Sequence, residues 1–151
     1  MMTWLDDELR AYEESKQGRA QRDELILSRS QLRKTQALHR WIDLQGQLRG
    51  AIVQLNIKAG RTVFEDVPVA ANRLFIQRED GISLAVQFNT DLNRVSCAFE
   101  SCPCHNRDFE LIVKPIDGND ATIWSDMQTR AGESDERIAE SLISSLMRCA
   151  A

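Results

Sequence analysis

Glycine and proline are scarce in this chain of 151 residues, which holds seven and three of them. This scarcity argues against long flexible loops and against disorder. The sequence has no apolar run long enough to span a bilayer, and its first residues lack the basic start and apolar core of a signal peptide. We therefore expect residues 1–151 to form one cytoplasmic domain with a single core and reduced cysteines.

Histidine is scarcer still, with two copies, and the sequence has no glycine-rich phosphate loop, G-x-S-x-G or H-E-x-x-H motif. Neither histidine lies near an evident acid, so no pair of groups for acid–base catalysis stands out. We expect a protein without its own catalysis and without a cofactor.

The first third of the chain, residues 1–48, is predicted to be helical because it contains no proline. Gly18 predicts a break or kink in this segment, and Gly46 and Gly50 predict its exit. Apolar residues recur at helical spacing before and after Gly18. They are Leu5, Leu9 and Tyr12, then Leu27, Leu38, Trp41 and Leu48.

Residues 51–125 change to a period of two, which is typical of antiparallel strands with one buried face. The clearest row is Ile82, Leu84, Val86 and Phe88. Predicted strands cover residues 51–57, 61–67, 73–79, 82–89, 94–100, 109–115 and 120–126. A final helix over 134–149 presents Ile138, Leu142 and Leu146 on one stripe. The expected fold is α+β, with a long N-terminal helix, an antiparallel meander of six or seven strands and a C-terminal helix in two layers.

The stretch SCPCHNRDF, residues 101–109, concentrates thiols and a histidine. Cys102, Cys104 and His105 are the candidate metal ligands, since short Cys/His tracts are typical of metal sites. Cys97 is better explained as a small core residue, because about 3.3 Å per residue along a strand places it roughly 16 Å from Cys102. The alternative, which we favour, is a polar hairpin loop with free thiols and no metal.

Within that stretch, CPCHNRDF resembles the second ligand box of Rieske iron–sulfur proteins, C-P-C-H-G-x-x-F. On that resemblance Cys102 and His105 would be ligands. A Rieske centre requires two histidines and two cysteines from paired boxes. The other histidine, His39, has no cysteine beside it, so we exclude a Rieske centre.

The net charge of −4 is unevenly distributed. Residues 1–15 carry five acids and one base, whereas residues 16–49 carry eight bases and three acids. The basic helix 19–49 could bind the phosphates of a nucleic acid, although a sequence pI of about 5.2 is far from that of most nucleic-acid binders. It could instead pair with the acidic segment across a helix–helix contact. The candidate partner-binding residues are Arg22, Arg29, Arg33, Lys34 and Arg40.

These observations favour a small non-catalytic interaction or adaptor module. The N-terminal helix is longer than one face of the sheet requires, so we expect it to overhang and bind another protein or a second copy of itself. Two alternatives stay open. One is a metal- or thiol-dependent protein that uses Cys102, Cys104 and His105, and the other is a nucleic-acid accessory protein that uses the basic helix 19–49.

Overall fold

A computed structural model describes residues 3–150, and its first element is a single long helix. Helix α1 (Thr3–Ala59) has 57 residues, which is about 85 Å at 1.5 Å per residue. In this part of the chain no helix is both long and apolar enough to cross a membrane.

Helix α1 continues through all three of its glycines, so the predicted break at Gly18 and the predicted exit at Gly46 and Gly50 are wrong. A glycine costs a helix only about 1 kcal/mol relative to alanine. Burial of a leucine or isoleucine contributes about 1.5–3 kcal/mol, and the helix buries Leu48 and Ile52 on either side of Gly50. Packing against the sheet therefore outweighs the glycine penalty.

Residues 51–57, predicted as the first strand, form the last turns of α1. A short apolar run cannot be assigned to helix or strand by periodicity alone. Here Leu48, Ile52 and Leu55 lie at helical spacing, and the first two are buried while Leu55 is half-buried. The predicted stripe was also partly wrong, because Leu27 and Leu38 are exposed.

The chain leaves α1 through Gly60, whose φ of 69° is the left-handed conformation that glycine adopts readily. The side chain of Asn56 then fixes the turn. Its Oδ1 accepts hydrogen bonds from the backbone N–H groups of Val63 and Phe64, at 2.9 and 3.1 Å. Its Nδ2 donates to the carbonyl of Phe64 at 2.8 Å. One amide side chain thus directs the chain into the sheet.

In the described residues seven antiparallel strands follow, and their spatial order is their order along the chain. They are β1 (Phe64–Ala70), β2 (Arg73–Arg78), β3 (Ser83–Asn89), β4 (Arg94–Phe99), β5 (Arg107–Ile116), β6 (Asn119–Asp126) and β7 (Gly132–Glu133). A 3₁₀ turn, Pro103–His105, lies between β4 and β5. The predicted antiparallel meander is confirmed.

The rows predicted to face the core do so. Ile82, Leu84, Val86 and Phe88 are buried, as are Cys97 and its neighbours Val95 and Phe99. They pack against the second half of α1, where Trp41 stacks on Phe88 with ring centroids 5.6 Å apart.

Helix α2 (Asp135–Arg148) closes the structure. The side chain of Ser134 caps its first turn by accepting a hydrogen bond from the N–H of Arg137 at 3.2 Å. The predicted stripe of Ile138, Leu142 and Leu146 is confirmed, because all three are buried. The described chain therefore contains the predicted long helix, antiparallel meander and closing helix. Strand β7 (Gly132–Glu133) was not predicted, and it takes the place in the sheet count of the wrongly predicted strand 51–57.

Candidate interaction surface

The first half of α1 is exposed to solvent. We name residues 3–28 the arm, and each of them is exposed except Gly18, which is half-buried. The arm carries seven large apolar side chains that are 41–67% exposed. They are Trp4, Leu5, Leu9, Tyr12, Leu25, Ile26 and Leu27. Large apolar side chains on an exposed element are typical of surfaces that bind a partner.

Basic side chains fasten α1 to the sheet immediately after the arm. Arg29 lies 3.3 Å from Asp120 at the start of β6, and Arg33 lies 3.9 Å from Glu110 on β5. Both contacts are partly exposed, so each contributes at most about 1 kcal/mol. They nevertheless mark where the overhang ends and the packed part of the helix begins.

Arg40 forms a more enclosed contact with two elements. Its guanidinium donates to the side chain and the carbonyl of Thr122, at 3.0 and 2.8 Å, and lies 3.9 Å from Asp135. Asp135 also accepts a hydrogen bond from the indole of Trp124 at 2.7 Å. Burial raises the pKa of Asp135, against the opposing effects of Trp124 and Arg40. This network joins α1, β6 and α2.

The structure divides the five candidate partner-binding residues into two groups. Arg29, Arg33 and Arg40 contact the sheet, as described above. Arg22 donates to the carbonyl of Gly18 on its own helix at 3.2 Å, and Lys34 is exposed. Arg49, also in the basic segment, lies 3.2 Å from Asp66. Four of the seven basic residues in helix 19–49 therefore lie in intramolecular ion pairs.

A crevice of about 450 Å³ lies between the end of the arm and β5. Its walls are Ile26, Arg29, Ser30 and Arg33 from α1, and Ile112 and Val113 from β5. Strand β4 pairs with β5 only from Arg107 to Glu110, so this stretch of β5 extends beyond β4. Within the described residues the buried Nε of Arg33 has no hydrogen-bond partner. The crevice is thus lined by three apolar side chains, two arginines and one serine.

The loop at residues 101–106 differs from the expectation of free thiols. Cys102 forms a disulfide with Cys149 at the end of α2, with a Cα–Cα distance of 6.0 Å, so the expectation is wrong for Cys102. Cys104 is free and exposed. The loop is held by Asn106, whose Oδ1 accepts from the N–H of Phe99 at 2.7 Å.

The metal candidates are only partly brought together. Because Cys102 is in the disulfide, two candidate metal ligands are left in the loop, Cys104 and the half-buried His105. In residues 3–150 no group of three or more His, Cys, Asp or Glu side chains is arranged to hold a metal ion. Cys97 is buried, and burial raises the pKa of its thiol well above the usual range. It is therefore an inert core residue.

The C-terminal end of α2 is anchored a second time by Arg78. Its guanidinium donates to the carbonyls of Leu146 and Cys149, each at 2.8 Å. Asp80 orients it through a 2.7 Å hydrogen bond from Nε, and this bond lowers the pKa of Asp80. A cation at this end of a helix also complements the helix dipole.

Sequence reasoning missed Cys149, Asp120 and Glu110. Each acts on a residue far away in the chain, and periodicity carries no information on such pairings. The even number of cysteines was the one available signal for the disulfide. The assumption of a reducing compartment led us to disregard it.

Comparisons with protein-family models, curated proteins and solved structures give no match to this chain. Its function must therefore be inferred from its own geometry.

Proposed function

We propose that this chain is a non-catalytic interaction module, and that its arm is the surface that binds another protein, here a second copy. The observation that carries this proposal is the arm itself. It extends for 26 residues with its large apolar side chains in solvent, among them Trp4, Tyr12 and Ile26 at 66, 65 and 67% exposure.

Helix energetics support the proposal. Most helical stability in proteins comes from packing an apolar face rather than from intrinsic propensity. The second half of α1 packs Trp41, Leu44 and Leu48 against the sheet, whereas the arm has no such cover. A second apolar helix surface would give the arm the packing that the rest of α1 already has.

The nucleic-acid alternative has less support than self-association. Arg29, Arg33, Arg40 and Arg49 each lie within 4 Å of an acidic side chain in the same chain. Phosphates would have to compete with these contacts. The metal or thiol alternative loses one of its three candidate ligands to the disulfide.

Sedimentation velocity over a micromolar concentration series tests the proposal. We expect the full chain to dimerise and the Leu9→Ser, Ile26→Ser variant to remain monomeric at the same concentrations. A matched control is Ile42→Ser, Ile57→Ser, which removes two equally exposed side chains (53 and 74%) from the second half of α1. This control should dimerise like the wild type.

A full chain that stays monomeric throughout the series would refute the proposal. Equal loss of dimer in both double variants would refute the assignment of the arm, because it would show that any exposed apolar residue of α1 supports association.

A further inference from the structure

We propose that the two arms of a dimer pair antiparallel, with the two-fold axis between Gln17 and Gly18, so that each arm ends in the crevice beside the partner's β5. This inference rests on the proposed function. It adds the orientation, the register and the site where each arm ends.

The spacing along the arm sets the register. Leu5, Leu9, Tyr12 and Ile26 belong to one series that alternates steps of four and three residues, as in the contact seam of a coiled coil. The complete series is Leu5, Leu9, Tyr12, Lys16, Arg19, Asp23, Ile26 and Ser30. Its seven-residue repeat continues into Ala37 and Leu44, which are buried in the domain core. The seam of the arm is therefore an extension of the core-facing side of α1.

The spacing of this series is the same in both directions. When a second arm is reversed about the midpoint of the series, each seam residue meets a seam residue of the partner. Leu9 then packs on Ile26, Leu5 lies beside Ser30, and the phenol of Tyr12 can donate to Asp23. A shift by one residue breaks this match, and a shift by seven residues keeps the spacing but places Leu9 opposite Arg19 and Leu5 opposite Asp23.

Charge favours the antiparallel pair over the parallel one. A parallel pair would place residues 1–15 of the two arms, with five acids and one base each, side by side. The antiparallel pair opposes this acidic segment to residues 20–34, which carry four bases and two acids, although Lys16 and the partner's Arg19 meet at the axis. On the flank of the seam it places Glu8 at the level of the partner's Arg29, where the two carboxylates of Glu8 and Asp120 would share one guanidinium.

The length of the arm fits the space available. Arg29 and Arg33 mark where α1 meets the sheet, and in this register Leu5 of the partner arm is level with Ser30. Its apolar side chain therefore reaches the crevice lined by Ile26, Ile112 and Val113. The overlap of the two arms uses the whole overhang and stops where the domain begins.

Disulfide cross-linking in the full chain tests the register. In a Cys104→Ser background, Leu9→Cys and Ile26→Cys are made singly and together. We expect the double variant to oxidise to a covalent dimer in high yield. Each single variant should stay non-covalent, because its two copies would lie far apart on opposite sides of the axis.

Each other outcome overturns the inference in a distinct way. Cross-linking of the single variants would show a parallel pair. A dimer by sedimentation that none of the three variants traps would show a different register and leave the proposed function standing. A monomer by sedimentation would remove both proposals together.

Discussion

The bond between Cys102 and Cys149 closes a loop of 47 residues and ties the 3₁₀ turn to the end of α2. A cross-link restricts the unfolded chain, and for a loop of this size the expected stabilisation is about 4 kcal/mol. Arg78 holds the same end of α2 through its carbonyls. The folded state thus keeps one anchor when the other is removed.

We therefore predict that the double variant Cys102→Ser, Cys149→Ser is less stable than wild type by up to about 4 kcal/mol. It should unfold at a lower urea concentration. Cys104→Ser, which removes an exposed free thiol two residues away, should leave the midpoint unchanged. Urea titration without reductant measures both. If a reducing agent does not shift the wild-type midpoint, the disulfide is not stabilising.

Asp135 should make the protein less stable as the pH rises, which is the opposite of the usual effect of a carboxyl group in a folded protein. Burial raises its folded-state pKa, so between the ordinary carboxyl pKa and the raised value the folded state binds more protons than the unfolded state. The contribution of Asp135 to stability is then largest in acid and falls as pH rises through that window. Asp80, whose pKa is lowered, contributes with the opposite sign.

The variant Asp135→Asn keeps an acceptor for the Trp124 indole and removes the titration. We predict that the free energy of unfolding of this variant, relative to that of wild type, increases as the pH rises through the same window. The total increase is about 1.4 kcal/mol for each unit by which the pKa of Asp135 is raised, and above the window the difference stays constant. Urea midpoints measured across a pH series provide the comparison. A difference between the two proteins that does not vary with pH would contradict the prediction.

The residue-level features that the sequence predicted are those with a local period. Burial of Cys97 followed from Val95 and Phe99 two positions away on either side, because strand side chains alternate. The partner of Cys102 had no such local cue. Its identity depends on how α2 returns over the sheet, and only the assembled fold determines that.

At the level of elements, α1 shows how tertiary packing decides an ambiguous sequence. Residues 51–57 were predicted as the first strand of the period-two region, and their β-branched Ile52, Val53 and Ile57 also favour a strand locally. The buried positions of Leu48 and Ile52 against the sheet favour the helix instead. The six strands predicted from residue 61 onward correspond to β1–β6, with β1 starting three residues later than predicted. They were recognisable because their period of two extends over several consecutive elements and turns.

Two glycines in α1 should be replaceable with a gain in stability. A Cβ at Gly46 or Gly50 would meet no atom within 4 Å, so alanine removes the backbone-entropy cost without a clash. We predict that Gly46→Ala and Gly50→Ala each stabilise the protein by about 0.5–1 kcal/mol. Thermal or urea unfolding measures the gain.

Gly60→Ala is the control for this pair. Its φ of 69° lies in the left-handed region, where a side chain is strained whatever space surrounds it, so it should lose stability. A loss on Gly46→Ala would indicate that the outer side of α1 is packed against another surface and would contradict the prediction.

At the scale of the whole molecule, the dimer seam has a weak centre. In the proposed register Lys16 lies opposite the partner's Arg19, so like charges meet at the two-fold axis, and only Asp23 compensates for them. A charged centre reduces affinity and fixes register, as single polar residues do in coiled coils. The proposed dimer is therefore one of moderate affinity.

Replacing this centre with leucine should tighten the dimer. We predict that Lys16→Leu, Arg19→Leu lowers the dissociation constant at least ten-fold, because it removes repulsion and adds apolar surface to the seam. The control Gln17→Leu, Gln21→Leu adds the same side chains off the seam and should have little effect. Analytical ultracentrifugation compares them. Equal tightening by both would mean that the leucines act without regard to register.

The candidate surface was predictable in outline. The acidic and basic zones and the excess length of the first helix both predict a helix–helix contact. The crevice was not predictable, because Ile112 and Val113 belong to a strand whose position beside Ile26 follows from the order of the sheet. Residues that lie close together in space but far apart in the sequence leave no local pattern from which their contact could be predicted.

The sequential order of the strands has a consequence for the chain during its synthesis. When each new strand is synthesised, the strand that it pairs with is already present, so the sheet can grow one hairpin at a time. Helix α1 emerges earlier, and its Trp41, Leu44 and Leu48 have no cover until the sheet arrives. At about 5–20 residues per second, synthesis from Ile52 to Trp124 takes roughly 4 to 14 s. For that interval the nascent chain presents an uncovered apolar helix, which is the kind of segment that chaperones bind.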